Sequence, residues 1–124
     1  MYIDHMTYVD GYVLAVPKKN LKKYKKMAKE AGEYWIKHGA LQYSECVGED
    51  LKSSDWCKLP FPKLMKCKPT ETVIFAFVLY KSKAHRDRVN AKVKKDMMQD
   101  VEDCDDPDMP FDMKRMAYGG FESI

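Results

Sequence analysis

Eight consecutive residues, Val73 to Tyr80 (V-I-F-A-F-V-L-Y), constrain this chain more than any other stretch. Their β-branched and aromatic side chains suit a pleated strand. Alternation puts Val73, Phe75, Phe77 and Leu79 on one face and Ile74, Ala76, Val78 and Tyr80 on the other. Both sets are largely apolar, so the strand needs cover on both faces. A buried helical segment is the competing reading, but Lys81 and Ser82 stop the run too early for an ordinary helix. Something must therefore lie on each side of this strand.

The remaining segments supply candidates. Residues 1–6 read as a flexible N-terminal extension, and residues 7–124 as a single domain. Thr7 to Val16 alternates as a strand, with Tyr8, Asp10, Tyr12 and Leu14 on one face and Val9, Gly11, Val13 and Ala15 on the other. Gly11 suggests close approach of a helix or backbone. Pro17 ends the strand, and Asn20 is placed to cap the helix after it. From Leu21 to His38 the apolar positions form one stripe opposite lysines, and Gly39 suits the residue just past the helix. Ala40 to Val47 is a second strand, with Leu41, Tyr43, Glu45 and Val47 sharing a face.

A long loop at 49–71 carries Pro60, Pro62 and Pro69, and Phe61, Leu64 and Met65 are its candidate anchors. After the organising strand, Ser82 can cap a helix over Lys83 to Lys95, with His85, Val89 and Val93 along one side. Met97, Met98 and Val101 suggest a short separate turn, and an acidic loop is expected at 98–113. Lys114 to Ile124 is the last strand, where Gly119-Gly120 suggest a bulge or a close contact.

The order β-α-β, long loop, β-α-β predicts an α+β, ferredoxin-like fold: a four-stranded antiparallel sheet with two helices on one face. No further element remains to cover the other face. Tyr8, Tyr12, Leu14 and one side of Val73 to Tyr80 are assigned to that open face, where a homodimer through the sheet face is expected.

Composition narrows the class. With 124 residues, 45% hydrophobic and 33% charged, the chain has an ordinary globular balance. No apolar run approaches the ~20 residues of a membrane span, and the first residues lack a signal-peptide pattern, so a cytoplasmic protein is expected. Cys46, Cys57, Cys67 and Cys104 form no C-x-x-C. Cys46 reads as a small buried hydrophobe. Cys57 and Cys67 flank a proline-containing loop and could approach each other, but reduced thiols fit a chain without an export signal. The net charge of +3 hides segregation: Lys18 to Lys37 is lysine-rich, whereas Asp96 to Asp112 has acids and no base.

Several residues carry candidate chemistry. Asp10, between Tyr8 and Tyr12, could act as a general base or anchor a substrate hydroxyl. A hydrogen-bonded structural carboxylate is the competing account, and the commoner one. Glu45 shares a strand face with Tyr43, and if that face also holds Asp10, these residues and Tyr118 would line one cavity for a small molecule. His85, at the start of the second long helix, could serve in acid–base chemistry or pack structurally. His38 suits a helix C-terminus, and His5 lies in the extension. No metal motif is present, so neither metal nor cofactor is expected. Asp103, Asp105, Asp106 and Asp108 superficially resemble a calcium loop, but Pro107 interrupts the ligand spacing. Lys22, Lys25, Lys26 and Lys29 form a basic helical face that could attract RNA; the lack of an interleaved aromatic platform weighs against nucleic-acid recognition.

Four ordered blocks carry a family likeness: Y-V-D-G-Y-V-L-A-V-P at 8–17, H-G-A-L-Q-Y-S-E-C-V-G at 38–48, Y-K-S-K-A-H-R-D-R-V-N-A-K-V at 80–93, and M-P-F-D-M-K-R-M-A-Y-G-G-F-E at 109–122. They resemble an uncharacterised bacterial family within the dimeric α/β-barrel superfamily. The likeness runs from Met6 through nearly the whole chain, departing at Ser53–Lys58 and Cys104–Asp108. It implies a dimeric α/β barrel, in a superfamily of cofactor-free monooxygenases, haem-handling enzymes and proteins without known activity; some relatives carry an RNA-related label. With the polarity of the interior, the expected function is small-molecule binding between the sheets. The alternatives are a cofactor-free monooxygenase-like enzyme, an RNA-associated protein and a structural or regulatory dimer. Under the enzymatic alternative, Asp10 and Tyr12 would position substrate and His85 would be the acid–base candidate.

Overall fold

The computed structural model describes residues 7–98 and 109–124. Four strands, β1 (Tyr8–Pro17), β2 (Gln42–Val47), β3 (Glu71–Tyr80) and β4 (Ala117–Glu122), form one sheet in the order β2-β3-β1-β4. Every neighbouring pair is antiparallel. Helix α1 (Leu21–Lys37) connects β1 to β2, and α3 (Lys83–Met98) lies between β3 and β4. Each helical connection skips a strand, which is the ferredoxin-like arrangement. A short helix α2 (Phe61–Leu64) breaks the long loop, so among the described residues three α-helices accompany the sheet rather than two.

The barrel expectation is overturned. The sheet ends at β2 and β4, which do not pair with each other, and it stays open. Both edge strands have only six residues, and four strands make a sheet too narrow for its edges to meet.

The two long helices cover the face that carries Tyr8, Leu14, Val16, Ile74, Val78 and Tyr80, where Tyr24 and Ala28 of α1 and Val89 and Val93 of α3 complete the core. This reverses the sequence assignment, which placed Tyr8, Asp10, Tyr12 and Leu14 on the open face. Because β3 is apolar on both sides, its pattern does not say which side takes the helices. Bulk decides: a helical layer leaves space that Tyr8, Tyr12 and Leu14 fill, whereas Val9, Gly11, Val13 and Ala15 do not. Burying a side chain such as Leu14, 2% exposed, contributes ~1.5–3 kcal/mol.

The other face carries Val9, Val13, Phe75, Phe77, Leu79 and Phe121, and Phe75 and Phe121 remain 43% and 60% exposed. Phe61 of α2 leans on Phe75 with ring centroids 6.2 Å apart, a partial cover for one corner. Gly11 lies on this face beside Phe121, not under a helix. Cys46 is exposed on it rather than buried, because its strand is an edge. Cys46, Cys57 and Cys67 are free thiols.

Local signals resolve in different ways. Ser82 caps α3, its hydroxyl accepting the His85 backbone N–H at 3.1 Å. Asn20 does not cap α1; its amide instead donates to the Pro110 carbonyl at 3.0 Å. Gly39 has φ of 108° after α1, a conformation that favours glycine. The strand β4 begins at Ala117, later than expected, because Met113–Arg115 form a 3-10 turn. Its register with β1 runs without a bulge through Gly119 and Gly120, and Gly120 leaves room for the Tyr8 hydroxyl. Met97 and Met98 continue α3 instead of forming a separate turn. Val101 and the acids Asp103, Asp105, Asp106 and Asp108 lie outside the described residues.

Candidate functional site

Strand register sets out the polar residues beneath the helices. Across β3, Asp10 and Tyr43 flank Val78, and Tyr12 and Glu45 flank the small Ala76. Asp10 and Glu45 therefore share a sheet face, but they serve different clusters.

Asp10 is fully buried at 0% exposed. Arg86 Nη1 donates to its Oδ1 at 3.0 Å and the Tyr118 hydroxyl donates to the same oxygen at 3.1 Å. Asn90 Nδ2 reaches Oδ2 at 3.4 Å. The Arg86 guanidinium also lies over the Tyr8 ring, 4.9 Å from its centroid, and Nη2 donates to the Tyr8 hydroxyl at 3.3 Å. Asn90 Oδ1 accepts from Tyr80 and from Trp35 Nε1, both at 3.1 Å, tying α1, α3 and β3 together. Tyr118 rests against Tyr12 with centroids 4.9 Å apart. Burial first, and then the Asp10 charge, push the phenols of Tyr12, Tyr80 and Tyr118 up, so these hydroxyls stay protonated. Asp10 is a carboxylate with its partners in place, and it lines neither of the two cavities described below.

Glu45 stands differently. Tyr24 of α1 donates to its Oε1, and Tyr43 of β2 donates to its Oε2 at 2.5 Å. Burial, followed by the hydrogen bond to Glu45, raises both phenols well above the ordinary tyrosine range. The helix can lie this close because residue 32 is glycine: a Cβ there would meet Tyr43 Cδ1 at 2.8 Å. Between α1 and β2 runs an open groove of about 810 Å³, in which Glu45 and the two tyrosines meet Ala28, Ile36, Val47 and Ile74. Its outer rim carries Lys25, Lys29, Lys37 and Glu33. That volume falls within the ~300–1,000 Å³ of small-molecule pockets, and the lining is mostly apolar with a few convergent polar groups.

A second cavity of about 460 Å³ lies by the end of the long loop. There Arg115 holds Glu71 through two contacts of 2.8 and 3.1 Å and reaches the carbonyls of Met65 and Lys66. The Arg115 hydrogen bond, aided by the Lys68 backbone N–H, lowers the Glu71 carboxyl to about 2. This is a clamp that pins the loop to the start of β3 and to the 3-10 turn before β4.

Of the predicted site residues, the structure gathers Tyr8, Asp10 and Tyr118 into one network, with Tyr12 stacked beside it, and Tyr43 and Glu45 into the other cluster. His85 is separate. Its Nδ1 accepts the Lys81 backbone N–H at 3.0 Å, and burial together with Lys81 lowers its pKa. His38 pairs with Asp96 at 2.9 Å, joining the ends of α1 and α3. Lys22, Lys25, Lys26 and Lys29 are exposed along α1. Among the described residues no group of three metal-ligating side chains occurs, and no helix is long and apolar enough to cross a membrane. Sequence reasoning missed Arg86, Asn90, Trp35 and Tyr24. The i,i+4 pair Arg86 and Asn90, next to the buried Val89 and Val93, was the available signal.

Uncharacterized protein YbaA of Escherichia coli (strain K12) is 40% identical over 120 residues, covering 96% of this chain and 97% of its own. The YbaA proteins of Escherichia coli O157:H7 and Shigella flexneri match to the same extent. Among solved structures, the de novo designed protein Foldit4 superposes with a TM-score of 0.47 at 8% identity, over 95% of this chain and 99% of that one. The family model described as "Protein of unknown function (DUF1428)" matches residues 7–113, and the chain belongs to that family.

Proposed function

We propose that this protein binds a small organic molecule in the groove between α1 and β2. The site lies within one chain, between helix and sheet, rather than between two sheets. The observation that carries the reading is Glu45, a carboxylate held by two phenols in a groove whose walls are apolar and whose rim is charged. A carboxylate so fixed on an edge strand serves a visitor better than it serves the core, because apolar residues would pack that space at lower cost. The second cluster supports the first mechanically: Trp35 of α1 and Asn90 of α3 tie the helical layer to β3, giving the groove a firm wall.

Titration with phenylpropanol, followed by amide NMR, tests this reading. Shifts should cluster on Ala28, Gly32 and Ile36 of α1 and on residues 43–47 of β2. The substitution Val47→Trp, at a partly exposed position of the groove wall, should fill the groove and remove them. Shifts concentrated elsewhere, or unaffected by Val47→Trp, would overturn the proposal.

The open sheet face supports a second element of the reading, a homodimer. Phe75 and Phe121 are large, exposed and adjacent to Val9, Val13 and Leu79, a patch that water covers at a cost. A second copy would bury it. Sedimentation at micromolar concentration should show twice the chain mass, reduced to one chain by Phe75→Lys; a monomeric parent protein would remove this element.

A further inference from the structure

The hydrogen-bond inventory of the groove floor specifies the ligand's head group, on the reading that the groove is the binding site. A phenol has one O–H to give, and both Tyr24 and Tyr43 give theirs to Glu45. Neither hydroxyl can turn to donate toward the groove without leaving the carboxylate short of a partner. A carboxylate offers about four lone-pair positions, and the tyrosines occupy two of them. The polar surface left at the floor therefore only accepts. The side-chain donors along the groove are the ammonium groups of Lys25 and Lys29, with Lys37 already donating to Asp96 at 3.2 Å, and Glu33 is a further acceptor at the rim. Between floor and rim lie Ile36, Val47 and Ile74, which offer an apolar wall.

We infer that the groove takes a molecule with a protonated amine at one end, seated on Glu45, and an apolar body lying against Ile36, Val47 and Ile74. A neutral hydroxyl meets the same requirement more weakly, because a charged donor makes the stronger hydrogen bond to a carboxylate. An acid head is rejected: it would set one anion against another in a half-enclosed site. The rim sets Lys25, Lys29 and Lys37 against the single carboxylate Glu33, with Lys37 also held by Asp96 at 3.2 Å, so a second cation on the ligand is disfavoured and its outer end should be neutral or anionic.

Three probes with one body and different heads test this: phenylpropylamine, phenylpropanol and phenylpropanoate, each titrated at millimolar concentration by amide NMR. The amine should bind ~10-fold more tightly than the carboxylate, the alcohol falling between them. Glu45→Gln should erase the amine's advantage while leaving alcohol binding within about twofold, since glutamine offers both a donor and an acceptor. Tyr43→Phe removes one donor from Glu45 and frees an oxygen, so it should keep or increase the amine preference. If Glu45→Gln and Tyr43→Phe weaken the amine equally, Glu45 has a packing role only, and the inference is wrong. Binding in the groove with no head-group order, or with the carboxylate preferred, also overturns it while leaving the groove reading intact. Binding of none of the three probes overturns both.

Discussion

Removing the Asp10 carboxylate should be among the most damaging single changes in the domain. Arg86 keeps only 14% of its side chain exposed, and Asp10 is its fully buried counter-ion. In Asp10→Ala the guanidinium stays under the helical layer with only the solvent-exposed Asp87, 2.9 Å from Nε, as a counter-ion, and Asn90 Nδ2 loses an acceptor. Breaking a buried ion pair on one side costs ~3–5 kcal/mol. Tyr118 reduces the total slightly, since at 51% exposed its hydroxyl can turn to water. An expected loss of about 4 kcal/mol is a large share of the ~5–15 kcal/mol that holds a domain of this kind together. The double substitution Asp10→Leu with Arg86→Met removes both charges and replaces them with apolar volume. It should recover about 2–3 kcal/mol relative to the sum of the single changes. Urea unfolding followed by tryptophan fluorescence reads this directly, because Trp35 bonds Tyr80 and Asn90 in the same network, while Trp56, 87% exposed, adds a constant background. An Asp10→Ala loss below about 1 kcal/mol, or strictly additive single and double changes, would show that the pair is not the pivot described here.

Other consequences follow from individual contacts. Gly32→Ala gains ~1 kcal/mol of helix propensity but forces Tyr43 aside at an overpacking cost of ~1–3 kcal/mol; a net loss, together with shifted Tyr43 ring resonances, is expected, and a stabilised variant would show that Tyr43 is not confined. The Glu71 carboxyl is lowered from 4.5 to about 2, so its contribution is present above pH 4.5 and disappears as pH falls toward 2. Arg115→Met should flatten that stretch of the stability–pH curve, and an unchanged acid limb would count against the clamp. If the exposed lysines of α1 attract polyanions, retention on an RNA column should fall steeply with salt and on neutralising Lys22, Lys25, Lys26 and Lys29. Retention indifferent to those four substitutions would exclude that surface.

How far the sequence reached differs from residue to residue. Val73 to Tyr80, flanked by two helical stripes, was enough to indicate a four-stranded antiparallel sheet, because periodicity and the succession of elements are read along the chain. The pairing of Tyr43 with Glu45 could also be read, since i and i+2 of a strand share a face. Tyr24 could not be joined to them: its apolar ring counts as core in any periodic pattern, and only the packing of α1 on β2 brings its hydroxyl to Glu45. Asn20 likewise follows a capping pattern, yet the approach of Pro110, 90 positions away, claims its amide.

The sequence by itself determined that β3 is apolar on both faces, that two helices cover one of them, and that Asp10 and Glu45 are polar residues on largely apolar strands. The tertiary structure decided which side is which. A strand apolar on both faces is symmetric to any pattern argument, and what breaks the symmetry is volume: Tyr8, Tyr12 and Leu14 fill the depth beneath α1 and α3, and the smaller side chains of β1 face outward. That choice carried Asp10 into the core with Arg86 and left Glu45 at the edge, where a groove opens over it.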